Sequence, residues 1–175
     1  MIIKMKHILP DISVSKYRYV NTDSKGLIMD IIEKMIIERE CERLITRYCH
    51  YVDHGEAAKI ADLFTNEGVW KSPEITMAGR DQIRAGFQRR QDLKERMSRH
   101  VCNNLLVHII SDTEATGTVY VTLYRHDGEA GRPFSPLNGP EMVGEYQDRY
   151  MKTKEGWRIA SRKVFVDFLK MSEKE

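Results

Sequence analysis

Asp53 and His100 are, in this 175-residue sequence, a carboxylate and an imidazole of the types that together can move a proton at neutral pH. Asp53 stands where a helical pattern stops, in the turn Asp53-His54-Gly55-Glu56, and His100 opens an alternating stretch. A carboxylate bonded to one imidazole nitrogen fixes the tautomer and makes the other nitrogen a better base. An unperturbed imidazole, with a pKa of about 6.5, already suits proton abstraction. Each residue also fits a plain role, Asp53 as a solvent-facing helix end and His100 as a strand residue bonded to backbone. Tyr48 carries a phenol that can donate a proton or polarise a carbonyl. On a regular helix, however, five residues turn through about 500°, which points Tyr48 about 140° away from Asp53. A core aromatic is its competing reading.

Other chemistries have less support. His50 and His54 have the helical spacing that can place two imidazoles on one metal, with Asp53 or Cys49 as a third ligand. The segment lacks the glutamate that metalloproteases carry after the first histidine, and solvent-facing histidines are the reading adopted, so no metal is assigned. Cys41, Cys49 and Cys102 are odd in number and form no C-x-x-C pair, which fits free thiols in a reducing compartment. There is no G-x-S-x-G turn and no glycine-rich phosphate loop, so neither a serine nucleophile nor a nucleotide cofactor is expected. The formal charge of +2, from 28 basic and 26 acidic residues, argues against a nucleic-acid binder. Arg89 and Arg90, with Lys94, Arg96 and Arg99, make the densest basic stretch; Asp92 and Glu95 interrupt it, and it reads as a solvated helix face. No run approaches the roughly 18 apolar residues of a membrane span, and a cytoplasmic location is expected.

These residues need elements to position them. Residues 1–27 show no clear period, are punctuated by Pro10, Asn21 and Gly26, and read as an N-terminal extension to a domain over 28–175. Asp30 and Glu33 form a capping-box pattern. The spacing of Ile32, Met35, Ile36, Leu44, Ile45, Tyr48 and Val52 predicts a helix to about Asp53, with Gly55 as its stop. A short helix is expected over about 56–63, a short strand from Phe64 to Trp70, and a third helix over about 80–96 carrying Ile83 and Phe87. The period then becomes two, with strands at about 100–110, 116–126, 141–153 and 157–168. The Gly/Pro-rich segment 127–140 is a long loop of the kind that serves as a lid or interface. Helices first and antiparallel strands last make an α+β domain.

Alternation puts Asn104 on the face of His100, where it could hold a substrate oxygen. On strand 116–126, Tyr120 and Tyr124 share one face while Val119, Val121 and Leu123 share the other, and either face could line a cavity. Arg162 and Trp157 fall on opposite faces of a regular strand, so both point inward only if a bulge intervenes. Phe64, Trp70, Phe87, Tyr146 and Phe165 are candidate wall or core aromatics.

Five segments occur in a telling order: RYCHYVDHGE at the end of the long helix, LFTNEGVW, GRDQIRAGF, RHVCNN, and GEYQDRYMKTKEGWRIASRKV as the last hairpin. From about residue 33 to 168 the chain resembles the SnoaL-like, nuclear transport factor 2-like superfamily. Its members include scytalone dehydratase, bile acid 7α-dehydratase and hexachlorocyclohexane dehydrochlorinase. More distant members are ketosteroid isomerase, polyketide cyclases and the small subunit of ring-hydroxylating dioxygenases. The resemblance implies a cone: a curved antiparallel sheet packed on a long N-terminal helix and two shorter ones, enclosing one apolar pocket. It implies an Asp53–His100 dyad, with Tyr48 where the bile acid enzyme has a tyrosine and Arg162 where the dehydrochlorinase has an active-site arginine. Val52 stands where scytalone dehydratase has a tyrosine, which puts that enzyme's substrate in doubt here.

The expected activity is therefore a cofactor-independent lyase of dehydratase or elimination type acting on a small cyclic hydrophobic molecule. Asp53, His100 and Tyr48 would be catalytic, and Asn104, Arg162, Trp70, Phe87, Tyr120 and Tyr146 would contact substrate. Two alternatives stand beside it: a non-catalytic ligand-binding or assembly subunit resembling the dioxygenase small subunit, and an isomerase or cyclase using the same base. The resemblance also implies a homo-oligomer, a dimer or trimer.

Overall fold

A computed structural model describes residues 30–128 and 135–171. The extension expected over residues 1–27, and the middle of the loop 127–140, lie outside the described residues.

Helix α1 (Ile31–Asp53) begins at the expected capping box: Glu33 N–H donates to Asp30 Oδ1 at 2.7 Å and Asp30 N–H to Glu33 Oε2 at 3.1 Å. Its inward stripe is Ile37, Cys41, Leu44, Ile45, Tyr48 and Val52. Ile32, Met35 and Ile36, expected on that stripe, are instead exposed, because the buried stripe begins one turn later at Ile37. Gly55, at φ +77°, stops the helix in a conformation that side chains avoid. A 3-10 helix (Ala57–Leu63) follows, then strands β1 (Phe64–Lys71) and β2 (Thr76–Ala78) and helix α2 (Arg80–Asp92). The remaining strands are β3 (Arg96–Ile109), β4 (Glu114–Asp127), β5 (Met142–Thr153) and β6 (Gly156–Leu169). No helix among the described residues is long and apolar enough to cross a membrane.

Two boundaries differ from expectation. Helix α2 stops at Asp92 rather than near residue 96, and β3 starts four residues earlier than the alternation suggested. Arg96 is already paired across the sheet with Asp127, so His100 lies inside the strand and not at its start.

The six strands form one curved, open sheet in the order β2-β1-β6-β5-β4-β3. All neighbours are antiparallel except β1 and β6, which run parallel. That pair corrects the expectation of a purely antiparallel sheet: β1 precedes the meander in sequence and joins it beside its last strand. Helix α1 packs on β3 and β6, while α2 and the 3-10 helix pack on each other and on β1.

Bulges decide which side chains face the helices. On β6, Tyr150 pairs with Ile159 and Arg149 with Ser161, so Ala160 is an extra, unpaired residue. The extra residue shifts the alternation, and Trp157, Ile159 and Arg162 are all buried. This is the bulge that Arg162 needs in order to point inward.

Candidate active site

Strand β3 crosses the C-terminal end of α1 and brings His100 onto Asp53. The His100 Nδ1–H donates to Asp53 Oδ1 at 2.7 Å, and the His100 backbone N–H donates to Asp53 Oδ2, also at 2.7 Å. Ser98, which shares the strand face of His100, donates its hydroxyl to Asp53 Oδ1 at 2.7 Å. Both side chains are largely withdrawn from solvent, 5% exposed for Asp53 and 11% for His100. Burial alone would push the Asp53 carboxyl up, but the three donors, the imidazole among them, overcome it and hold the group below the usual carboxylate range. With Nδ1 bonded to the carboxylate, the lone pair lies on Nε2.

His100 lines a cavity of about 570 Å³ between the sheet and the helices. Its walls include Tyr48, Trp70, Met77, Phe87, Tyr146 and Val164. Tyr48 reaches this space despite its angle from Asp53, because the cavity meets the helix from the side and β3 meets it at the end. The Tyr48 and His100 rings stand edge-on with centroids 6.5 Å apart. Trp70 Nε1–H donates to the Tyr48 hydroxyl oxygen at 3.1 Å, which leaves the phenol's own proton available. Burial pushes the Tyr48 phenol up to about 12, against the pull of the nearby Arg162 guanidinium and the Trp70 donor. It stays protonated at neutral pH.

Arg162 is buried but does not reach the cavity surface. It lies behind the wall, its guanidinium carbon 4.3 Å from the ring centroids of both Tyr48 and Tyr146. Asp148 holds it with two hydrogen bonds, Nε to Oδ1 at 2.8 Å and Nη2 to Oδ2 at 2.6 Å. Burial disfavours its charge, and Asp148 more than restores it. The arginine thus lies behind two wall tyrosines and outside the cavity lining, whereas a substrate contact is expected of it.

Other expected contacts are not brought together. Tyr120 is 51% exposed and points away from the cavity, whereas Leu123 lines it. Asn104 sits at a second bulge with φ +53° and is exposed. It borders a separate depression of about 410 Å³ with Cys49, Cys102 and one side of His100. Alternation from His100 fails at Asn104 because the β3 register shifts between Asn103 and Leu106. Phe165 is 42% exposed; its neighbours Val164 and Val166 line the cavity instead. A third, open surface depression of about 840 Å³ runs along Ile32, Met35, Ile36 and Leu106, outside the cone. His50 and His54 stack with centroids 5.3 Å apart, but no group of three potential metal ligands converges among the described residues.

Three further residues, bonded to the dyad, to Ser98 or to Arg162, are absent from the expected site residues. Ser98 carried a signal, since it is two residues before His100 on one strand face, but only once β3 is known to begin at Arg96. Arg90, expected on a solvated helix face, is half-buried, and its Nη2 donates to Ser98 Oγ at 3.0 Å. Asp148 alternates with Tyr146 and Tyr150, and nothing in the sequence marks it as the buried partner of Arg162.

Comparison with known proteins agrees with this architecture. The family model for the SnoaL-like domain matches residues 33–163. A structure of a protein of unknown function from Mycobacterium tuberculosis is similar at 25% identity, covering 82% of this chain and 79% of that one, with a TM-score of 0.66. A candidate scytalone dehydratase from Novosphingobium aromaticivorans is similar at 18% identity, 82% and 93% coverage and a TM-score of 0.68. A Catenulispora acidiphila protein in complex with S-DNPA is similar at 20% identity, 76% and 95% coverage and a TM-score of 0.61. A search of curated proteins finds no match.

Proposed function

The chain belongs to the SnoaL-like domain family, and we propose that it is a cofactor-independent lyase that eliminates water from a small cyclic substrate. One observation carries this reading: the Asp53-held imidazole of His100 opens onto an apolar cavity lined by the phenol of Tyr48. His100 Nε2 takes a proton from a carbon beside an activating group. The electron pair left behind forms the double bond and expels the oxygen on the neighbouring carbon. The departing hydroxide takes that same proton back from the His100 imidazolium and leaves as water, which regenerates the base, while the hydroxyl of Tyr48 donates a hydrogen bond to the oxygen as its charge develops. Asp53 keeps the imidazole in the reactive tautomer and stabilises the imidazolium that forms. Phe87, Trp70 and Tyr146 exclude water and hold the ring of the substrate, and Arg162 positions Tyr48 and Tyr146 from behind.

The test is turnover of a panel of cyclic β-hydroxy ketones and acids, read as loss of water by mass spectrometry. Replacing His100→Ala is expected to lower the rate by about 10²–10⁴ while leaving the circular dichroism spectrum unchanged. A His100→Ala protein that dehydrates a panel member as fast as the wild type sinks the mechanism.

A further inference from the structure

The rim of the cavity has a chemistry its interior lacks. Arg89 and Arg90 from α2, Arg96 from β3 and Arg125 from β4 line it, and Glu74 is the one acidic lining residue among those described. Two of the four cations are neutralised. Arg96 pairs with Asp127, and Arg125 pairs with Asp127 at 2.9 Å and Glu141 at 2.6 Å. Arg89 and Arg90 have no carboxylate partner among the described residues.

Arg90 is the more telling of the two. It is half-buried, and its hydrogen-bond partner is the neutral hydroxyl of Ser98, whose proton is already committed to Asp53. Burial and the neighbouring Arg96 disfavour its charge and draw its pKa downward, against the more distant pull of Asp53 and Asp127. A half-buried guanidinium on a cavity wall, with no carboxylate in salt-bridge contact among the described residues, is suited to receive an anion there. The chain of contacts Arg90–Ser98–Asp53–His100 puts this charge on the same side of the cavity as the dyad.

We propose that the substrate is an amphipathic organic anion, with an apolar ring body against Trp70, Phe87 and Tyr146 and an oxyanion group, a carboxylate or phosphate, bound by Arg90 with Arg89 assisting. This assignment rests on the reading of the cavity as the substrate site of His100. It narrows the substrate from a neutral hydrophobic ring to a ring acid or ring phosphate. It also gives the basic pair of α2 a use that a solvated helix face does not need.

Three probes sharing one ring system separate the possibilities: 2-naphthoate, 2-naphthyl phosphate and the neutral 2-naphthalenemethanol. Each is titrated calorimetrically into the full-length wild type, Arg90→Gln, Arg89→Gln and His100→Ala. The wild type is expected to bind at least one anion about tenfold more tightly than the alcohol, the scale of one partly desolvated charge-assisted hydrogen bond. Whichever anion leads identifies the group. Arg90→Gln is expected to erase the preference while holding the alcohol's affinity within about twofold, and Arg89→Gln to reduce it. His100→Ala keeps the preference, because binding at the rim does not need the base. If Arg90→Gln fails to fold, the wild type decides alone, since the anion preference must shrink as ionic strength rises from about 0.02 to about 0.5 M. Equal binding of alcohol and anions by the wild type, or a preference that survives Arg90→Gln, overturns the anion assignment and leaves the lyase reading standing. Failure of all three probes to bind overturns the cavity as the substrate site, and the anion assignment with it.

Discussion

Arg162 and Asp148 are both fully buried, and Asp148 accepts three hydrogen bonds: two from Arg162 and one from the Tyr150 hydroxyl at 2.7 Å. Removing one partner of such a pair leaves an uncompensated charge in the core, at a cost of about 3–5 kcal/mol. Asp148→Ala is accordingly expected to lower the Tm by about 10 °C, measured by differential scanning calorimetry. A shift of only a degree or two would show that water reaches Arg162 and that its burial is shallower than described. The pair also marks the limit of residue-level reading. Asp53 and His100 belong to types whose chemistry is visible in a sequence. Asp148 is one acidic residue among 26 acidic residues, and only tertiary packing singles it out.

At the scale of elements, helices were more legible than strand faces. The capping box at Asp30 and the stop at Gly55 are local devices, and α1 runs between them as expected. Strand alternation is also local, but bulges reset it, and a bulge is set by the partner strand. Alternation places Asn104 beside His100 and leaves Arg162 open, and a bulge decides each. The parallel pairing of β1 with β6 is beyond local pattern altogether, since it joins strands separated by most of the domain. Gly144 shows how tightly β5 and β6 approach near a second β6 bulge, where Gly144 pairs with Val166 and Val143 with Phe168. A Cβ at Gly144 would run into the backbone carbonyl of Phe165. Gly144→Ala is expected to cost about 1–3 kcal/mol by urea denaturation, although alanine suits a strand no worse than glycine. A neutral result would mean that the two strands separate there at little cost.

At the scale of the whole molecule, the site and the fold share one acid-sensitive joint. Asp53 ties the end of α1 to β3, and its carboxyl is held below the usual range. A carboxyl lowered in the folded state contributes stability that is fully present above its unfolded pKa of about 3.9. That contribution is lost as the pH falls through the lower folded value. The stability gap between the wild type and Asp53→Asn should therefore be constant near neutrality and narrow as the pH falls from about 5 toward about 2. Denaturation midpoints across that range measure it, and a gap that stays constant would remove Asp53 as a folded-state carboxylate. The chain has two tryptophans, and the fold puts them in different situations. Trp157 is sealed in the core at 5% exposure, while Trp70 stands in the cavity wall with its indole N–H on Tyr48. The molecule thus carries its own optical reporter. With Trp157→Phe, every photon of indole emission comes from the wall of the site, and a spectral shift on mixing signals occupancy without any label.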